Sequence, residues 1–270
     1  MTGKAESYGQ KIFSHSAENE RQRLAALSDV LDPVTISVLA ALPLREEPRC
    51  LELGAGTGTV AAWMAAHLPG AQVTATDLDL SLITAHRPDN VRFVHHDITS
   101  DRFPAESFDL IHGRYLLHHV PDRDRVLGEI VRWLAPGGTL VLEDPAVFPL
   151  HAARDPLYRA VCLGAVEVLA QRIGSDCVDW ALDLASKAGA LGLTDVTVRV
   201  TCPTVSHDNA PGRFWQLTLA HLRPGLATLP GLGSREVAEV IARISRPDFL
   251  DLGMATVTTI ATGPAGPADP

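Results

Sequence analysis

Hydrophobic positions change their period along the chain. Leu24, Leu27, Leu31 and Val34 recur at intervals of three and four with charged residues between them, which predicts helix over about the first forty residues. Pro33 is expected to break or restart that helix. After Pro43 and the charged stretch Arg45-Glu46-Glu47-Pro48 the pattern shortens. β-Type runs at Cys50–Leu53, Gln72–Thr76, Val91–His95, Phe108–His112 and Thr139–Glu143 alternate with helical stretches at Thr59–His67, Leu80–His86 and Arg123–Leu134. That alternation predicts an α/β fold, a parallel sheet with helices on both faces. Farther on, residues 155–173, Val178–Ala188, Pro211–Leu226 and Ser234–Ile244 read as helices, and Thr194–Thr201 and Ala255–Thr262 as strands. The last strand belongs with the earlier sheet, so 203–250 reads as an insertion. The expected layout is a helical segment at 1–45 and one domain at 46–262, with a helical cover at about 145–190 and 203–250. The tail 263–270 (GPAGPADP) reads as disordered.

Composition narrows the class. Of the 270 residues, 46% are hydrophobic and 20% charged, ordinary globular usage that excludes wholesale disorder. The excess of 32 acidic over 23 basic residues gives a net charge of −9, which disfavours nucleic acid as a partner. Cys50, Cys162, Cys177 and Cys202 form no CxxC pair, so they read as small core residues in a reducing cytoplasm. The opening residues lack the apolar stretch of a signal peptide, and no run reaches the roughly 18 apolar residues a membrane helix needs.

The motif richest in chemistry is Leu51-Glu52-Leu53-Gly54-Ala55-Gly56-Thr57-Gly58, a strand running into a glycine turn and then a helix. Glycines there let the backbone turn sharply and come close to a ligand beside a helix N-terminus. Thr59 stands where a dinucleotide fingerprint needs its third glycine, and no Gly-Lys-Ser/Thr follows, so neither a G-x-G-x-x-G site nor a P-loop is present. Roughly twenty residues on, Asp77 ends the second predicted strand, where a carboxylate can accept both hydroxyls of a ribose. Its alternative role, capping the next helix, suits Asp79 better. A third strand ends in His96-Asp97-Ile98, a polar group beside an apolar one, suited to the edge and face of an adenine; alone, Asp97 reads as a turn residue. Together these describe a nucleoside-binding crevice at the carboxyl ends of parallel strands.

LELGAGTG (51–58), ATDLD (75–79), HHDI (95–98), FDLIHGRYLLHHVPDRDRVLGEIVRWLAPGG (108–138) and LVLED (140–144) make the chain similar to the class I S-adenosylmethionine-dependent methyltransferases across about 50–144. Glu20–Leu24 (ERQRL) with Leu31-Asp32-Pro33 resembles the N-terminal lid of bacterial small-molecule members. The resemblance implies a Rossmann-like, doubly wound, mostly parallel seven-stranded sheet with a helical N-terminal lid and a helical insertion before the last strand. It also implies S-adenosylmethionine as cofactor and S-adenosylhomocysteine as product. On that pattern Gly54, Gly56 and Gly58 lie against the methionine and ribose, and Glu52 supports the loop or the amino group. Asp77, with Leu78 beside it, holds the ribose hydroxyls, and Asp97 and Ile98 meet the adenine. His112 and Gly113 border the sulfonium. Tyr8 and Arg23 close over the cofactor, Arg23 either pairing with its carboxylate or standing as a plain surface arginine.

Methyl transfer from a sulfonium is an in-line displacement, for which the protein aligns the reactants and excludes water. A hydroxyl acceptor would be helped by a base near neutral pKa. Histidine is the residue type suited to that task, and His118 and His119 follow the fourth strand, with Asp144 ending the fifth strand nearby. The alternative is two structural histidines, with His119 orienting the loop before Val120-Pro121. Phe148, Tyr158, Phe214, Trp215 and Leu219 are expected either as substrate lining or as core, and His151 and His221 as residues of the cover. No acidic set spaced for Mg²⁺ is evident beyond Asp144, so metal independence is expected. The leading expectation is O-methylation of a small, mostly apolar metabolite in secondary metabolism, in the cytoplasm, with a homodimer possible. The rivals are C- or N-methylation, a cyclase that keeps the cofactor's methyl, a non-catalytic cofactor-binding module, and a nicotinamide oxidoreductase, against which Thr59 speaks.

Overall fold

The computed structural model describes residues 18–174 and 179–264. Tertiary contacts gather these into two compact units. One takes the described residues up to Leu31 with Ala146–Asp179 and Thr201–Ala255; the other takes Asp32–Pro145, Trp180–Val200 and the residues from Thr256.

The second unit is a seven-stranded sheet. Its strands are β1 (Arg49–Leu53), β2 (Gln72–Asp77), β3 (Val91–His95), β4 (Phe108–Arg114), β5 (Leu134–Ala146), β6 (Thr194–Thr201) and β9 (Ala255–Thr262), in the order β3-β2-β1-β4-β5-β9-β6. The pairings β1–β2, β2–β3, β1–β4 and β4–β5 are parallel. Side chains alternate across the sheet, as strand geometry requires. Leu51, Leu53, Ile111, Leu140 and Leu142 join one apolar cluster, and Cys50, Val73, Ala75, Leu110 and Val141 join the other. Helix α2 (Thr59–His67) covers the latter face through Val60, Ala61 and Met64. Helix α3 (Arg123–Trp133) covers the former through Val126, Leu127, Ile130 and Trp133, aided by Trp180, Leu184 and Ala188 of α6 (Trp180–Ala190). Burial on both faces is why these strands read as short, nearly continuous apolar runs.

The first unit is mainly helical. Helices α4 (Phe148–His151), α5 (Pro156–Ile173), α7 (Ala210–Leu226) and α8 (Ser234–Ile244) accompany an antiparallel pair, β7 (Thr204–Ser206) and β8 (Leu250–Leu252). Tyr158, Val161, Phe214, Trp215, Leu219, Val237 and Val240 form its core. Asp155 caps α5 by accepting from the Leu157 and Tyr158 N–H groups, and Pro156 fills the first helical position.

Several sequence expectations change. Helix α1 (Glu18–Leu39) is continuous, with Pro33 inside it. The proline removes one backbone donor, but Thr35, Val38 and Leu39 beyond it are buried, and that burial carries the helix through. Leu80–His86 holds only a 3₁₀ turn at Leu80–Leu82, because the N–H groups of Thr84 and Ala85 both turn to the Thr57 carbonyl. Strand β5 is longer than Thr139–Glu143 and takes in Pro136-Gly137-Gly138. Strands β7 and β8, too short to show a period, went unpredicted. Gly263 and Pro264, read as tail, bond to Gly138 and Gly137.

Candidate active site

Parallel strands bring the carboxyl ends of β1 to β5 to one edge of the sheet, and the chain reverses its direction of travel between β1 and β4. A crevice opens at such a switch point. The glycine turn leaves β1 there, with Gly54 at φ +66° and Gly58 at φ +82°. Any side chain is strained in that left-handed backbone. A Cβ on Gly54 would also lie 3.2 Å from the Leu116 side chain, and one on Gly58 3.2 Å from Ile83. Gly56, in contrast, has open space beside it.

The turn is sewn to the end of β2. Ala55 N–H donates to the Thr76 carbonyl at 2.8 Å, and Gly56 N–H to Asp77 Oδ2 at 2.8 Å. Asp77 Oδ1 accepts from Asp79 N–H at 2.9 Å, while Asp79 itself caps the 3₁₀ turn. Each Asp77 oxygen keeps a further lone pair, which is what a vicinal diol needs. Open space at Gly56 and a half-exposed, held carboxylate at Asp77 thus fit a nucleoside; Leu78 lies beside them, also half-exposed. At the end of β3, Asp97 Oδ1 accepts from the Thr99 N–H and hydroxyl at 2.9 and 2.6 Å, so it shapes a turn, and Ile98 is buried.

His112 departs from expectation. It is fully buried, with Nδ1 2.6 Å from Glu52 Oε2 and Nε2 3.2 Å from Glu143 Oε2, so both nitrogens face carboxylates and the ring does not line the crevice. Burial alone would push its pKa down. Attraction from Glu52 and the hydrogen bonds with Glu143 and Glu52 outweigh it and lift the pKa to about 9, so both ring N–H groups donate at neutral pH. Burial likewise works against the Glu143 carboxylate, yet His112, Thr35 and Arg114 hold its pKa below the ordinary value. Thr35 donates to Glu143 Oε2, and Thr258 to Oε1 at 2.9 Å. Arg114 reaches Thr35 Oγ1 at 2.9 Å and Asp32 Oδ1 at 2.7 Å. Glu52 is therefore held by His112, and Gly113 is buried in β4 between Leu142 and Leu53. Sequence reasoning missed Glu143, Thr35, Arg114 and Asp32. The available signal was a glutamate directly after the apolar run Leu140–Leu142.

His118 lies in a 3₁₀ turn, Leu117–His119, after β4. Its Nδ1 is 2.8 Å from Asp144 Oδ1, with both residues buried. The His119 ring centroid is 3.6 Å from that of His118. The three residues expected to do chemistry are thus together, at the sheet edge that carries the glycine turn. Arg23 belongs to the first unit, where it is buried with its guanidinium 5.7 Å from the Phe214 ring centroid, so it is not a surface arginine. Tyr158, Phe214, Trp215 and Leu219 are core residues of that unit, while Phe148 and His151 are exposed. Tyr8 lies outside the described residues. No helix among the described residues is long and apolar enough to cross a membrane.

Residues 20–180, more than half of the chain, match the methyltransferase domain family. The chain belongs to that family. It is 34% identical over 126 residues to methyltransferase str3 of Strobilurus tenacellus, covering 46% of this chain and 45% of the relative. It is 31% identical over 135 residues to the 27-O-demethylrifamycin SV methyltransferase of Amycolatopsis mediterranei, covering 47% and 50%. The chain spans about half the length of these curated relatives. Its fold matches that of phosphoethanolamine N-methyltransferase 2 of Haemonchus contortus, solved with S-adenosylhomocysteine, at TM-score 0.61 and 15% identity, covering 96% of this chain and 61% of that one. The chain has the class I methyltransferase architecture.

Proposed function

We propose that the protein transfers the methyl group of S-adenosylmethionine to an oxygen of a small, mostly apolar metabolite, with His118 as general base. The observation that carries this reading is the buried His118–Asp144 pair at the sheet edge of the glycine turn. When bound, S-adenosylmethionine supplies a methyl group made electrophilic by its sulfonium. Gly54, Gly56 and Gly58 would hold it by their backbone, Asp77 by its ribose, and Asp97 with Ile98 by its adenine. Asp144 accepts the Nδ1 proton of His118, which sets the tautomer and leaves Nε2 basic. Nε2 takes the proton of the acceptor hydroxyl as its oxygen attacks, and Asp144 stabilises the imidazolium that forms.

The relative named for 27-O-demethylrifamycin SV supports oxygen as acceptor and a natural product as substrate class. The net charge of −9 supports a small-molecule substrate over nucleic acid. Substrate choice is assigned to segments 145–190 and 203–250, outside the glycine and carboxylate motifs. The test follows labelled methyl from S-adenosylmethionine into candidate hydroxyl metabolites. His118→Ala should lower turnover by about 10²–10⁴-fold and leave S-adenosylhomocysteine affinity nearly unchanged. Turnover that survives this substitution removes the base assignment. Label that never leaves the bound cofactor removes the transfer itself.

A further inference from the structure

Tyr115 is the residue between β4 and the His118 turn, and its backbone is in the left-handed region at φ +50°. A bulky side chain rarely adopts that conformation, and it persists only where the surroundings determine it. Three contacts do so here. Tyr115 N–H donates to the Glu143 carbonyl at 2.7 Å, one residue before Asp144. The phenol oxygen lies 2.9 Å from the Thr256 hydroxyl on β9, and Thr256 is buried. The ring meets the His118 ring nearly at right angles, interplanar angle 84° and centroids 5.7 Å apart.

We propose that Tyr115 is a positioning residue for His118. Its turn brings the chain back toward β5 so that Nδ1 reaches Asp144, and its tethered ring limits the rotation that would swing Nε2 away from the acceptor. Asp144 holds one nitrogen, the His119 ring lies tilted at 43° against the ring, and Tyr115 packs edge-on against it. These are also the titratable groups that touch His118 among the described residues. No hydrogen bond joins the phenol to His118 among them, so Tyr115 acts on direction and not on the proton. This proposal rests on the reading of His118 as base.

The experiment is a double-mutant cycle with Tyr115→Gly and His118→Ala, read as kcat, KM, S-adenosylhomocysteine affinity and the pH profile of kcat. Glycine keeps the left-handed turn and removes the ring together with its hydroxyl contact to Thr256. Tyr115→Gly is expected to lower kcat about tenfold, because misplacing a base by a fraction of an ångström forfeits alignment. KM for the cofactor and S-adenosylhomocysteine affinity should stay within twofold, and the pH profile of kcat should keep its shape at the lower rate. In the His118→Ala background the same change should have almost no effect on kcat, since the group being aimed is gone. Tyr115→Phe, which keeps the ring, should recover most of the loss, and Thr256→Val should produce a smaller loss of kcat with KM unchanged. Equal losses in both backgrounds would make Tyr115 merely structural and overturn the proposal. A loss in His118→Ala with none in Tyr115→Gly overturns positioning alone. An unaltered kcat in His118→Ala overturns the base reading, and the positioning role with it.

Discussion

Asp77 serves two purposes with one carboxylate. Its oxygens hold the N–H groups of Gly56 and Asp79, and on the proposed reading their remaining lone pairs accept the ribose hydroxyls. Asp77→Asn can accept at only one atom, so one backbone N–H loses its partner. Stability should fall by about 1–3 kcal/mol and S-adenosylhomocysteine affinity by at least about tenfold, by urea titration and calorimetry. His96 is the reverse case. It is buried and stacked on Phe103 at 4.7 Å, edge-on to Trp133, and neither ring nitrogen has a partner among the described residues. His96→Phe keeps the stacking and removes two unsatisfied polar atoms. It should raise stability by about 1 kcal/mol, visible as a higher urea midpoint with an unchanged slope.

At the scale of elements, local signals and tertiary demands disagree in instructive places. Pro33 is exposed on α1, yet the helix runs through it. Pro33→Ala restores a helical N–H at no cost in packing and should stabilise by about 1–3 kcal/mol, read as a higher Tm. Gly58, at φ +82° directly before α2, should tolerate no side chain: Gly58→Ala is expected to cost about 1–2 kcal/mol and to weaken cofactor binding through the displaced turn. Leu80–His86 shows the opposite failure. Its apolar spacing is helical, but Thr57 draws the Thr84 and Ala85 N–H groups away and leaves a single 3₁₀ turn.

At the scale of the whole molecule, Glu52, His112, Glu143, Thr258 and Thr35 link β1, β4, β5, β9 and α1 by buried hydrogen bonds. Its titration has a defined sign. The folded pKa of His112, about 9, lies above the ordinary 6.5, so the stability it brings is full below about 6.5 and is lost as pH rises through 9. Glu143 lies below its ordinary 4.5, so its contribution is present above that value and lost as pH falls through the depressed one. Burial holds His96 below 6.5, and its contribution fades as pH falls from there. Stability should therefore peak near pH 6.5 and decline toward 9 and toward acid, as urea titrations across pH would record. His112→Gln should flatten the alkaline decline while costing about 3–5 kcal/mol, since it leaves two carboxylates buried without their cation.

The order of strands from Cys50 to Glu143, the glycine turn and the carboxylate of Asp77 at the tip of β2 were determined by the sequence itself. Each depends on neighbours a few residues away: an apolar run that must be buried, a turn that needs glycine, a carboxylate at a strand tip. What only the tertiary structure decided were pairings between distant residues. Nothing near His112 in sequence shows that Glu52 and Glu143 close around it, turning an expected crevice residue into a buried cation. Tyr115 reads locally as one more aromatic after a strand, and its bond to Thr256 joins it to the far end of the chain. Buried polar groups find partners through strand register and packing, and those become definite only when the sheet is assembled.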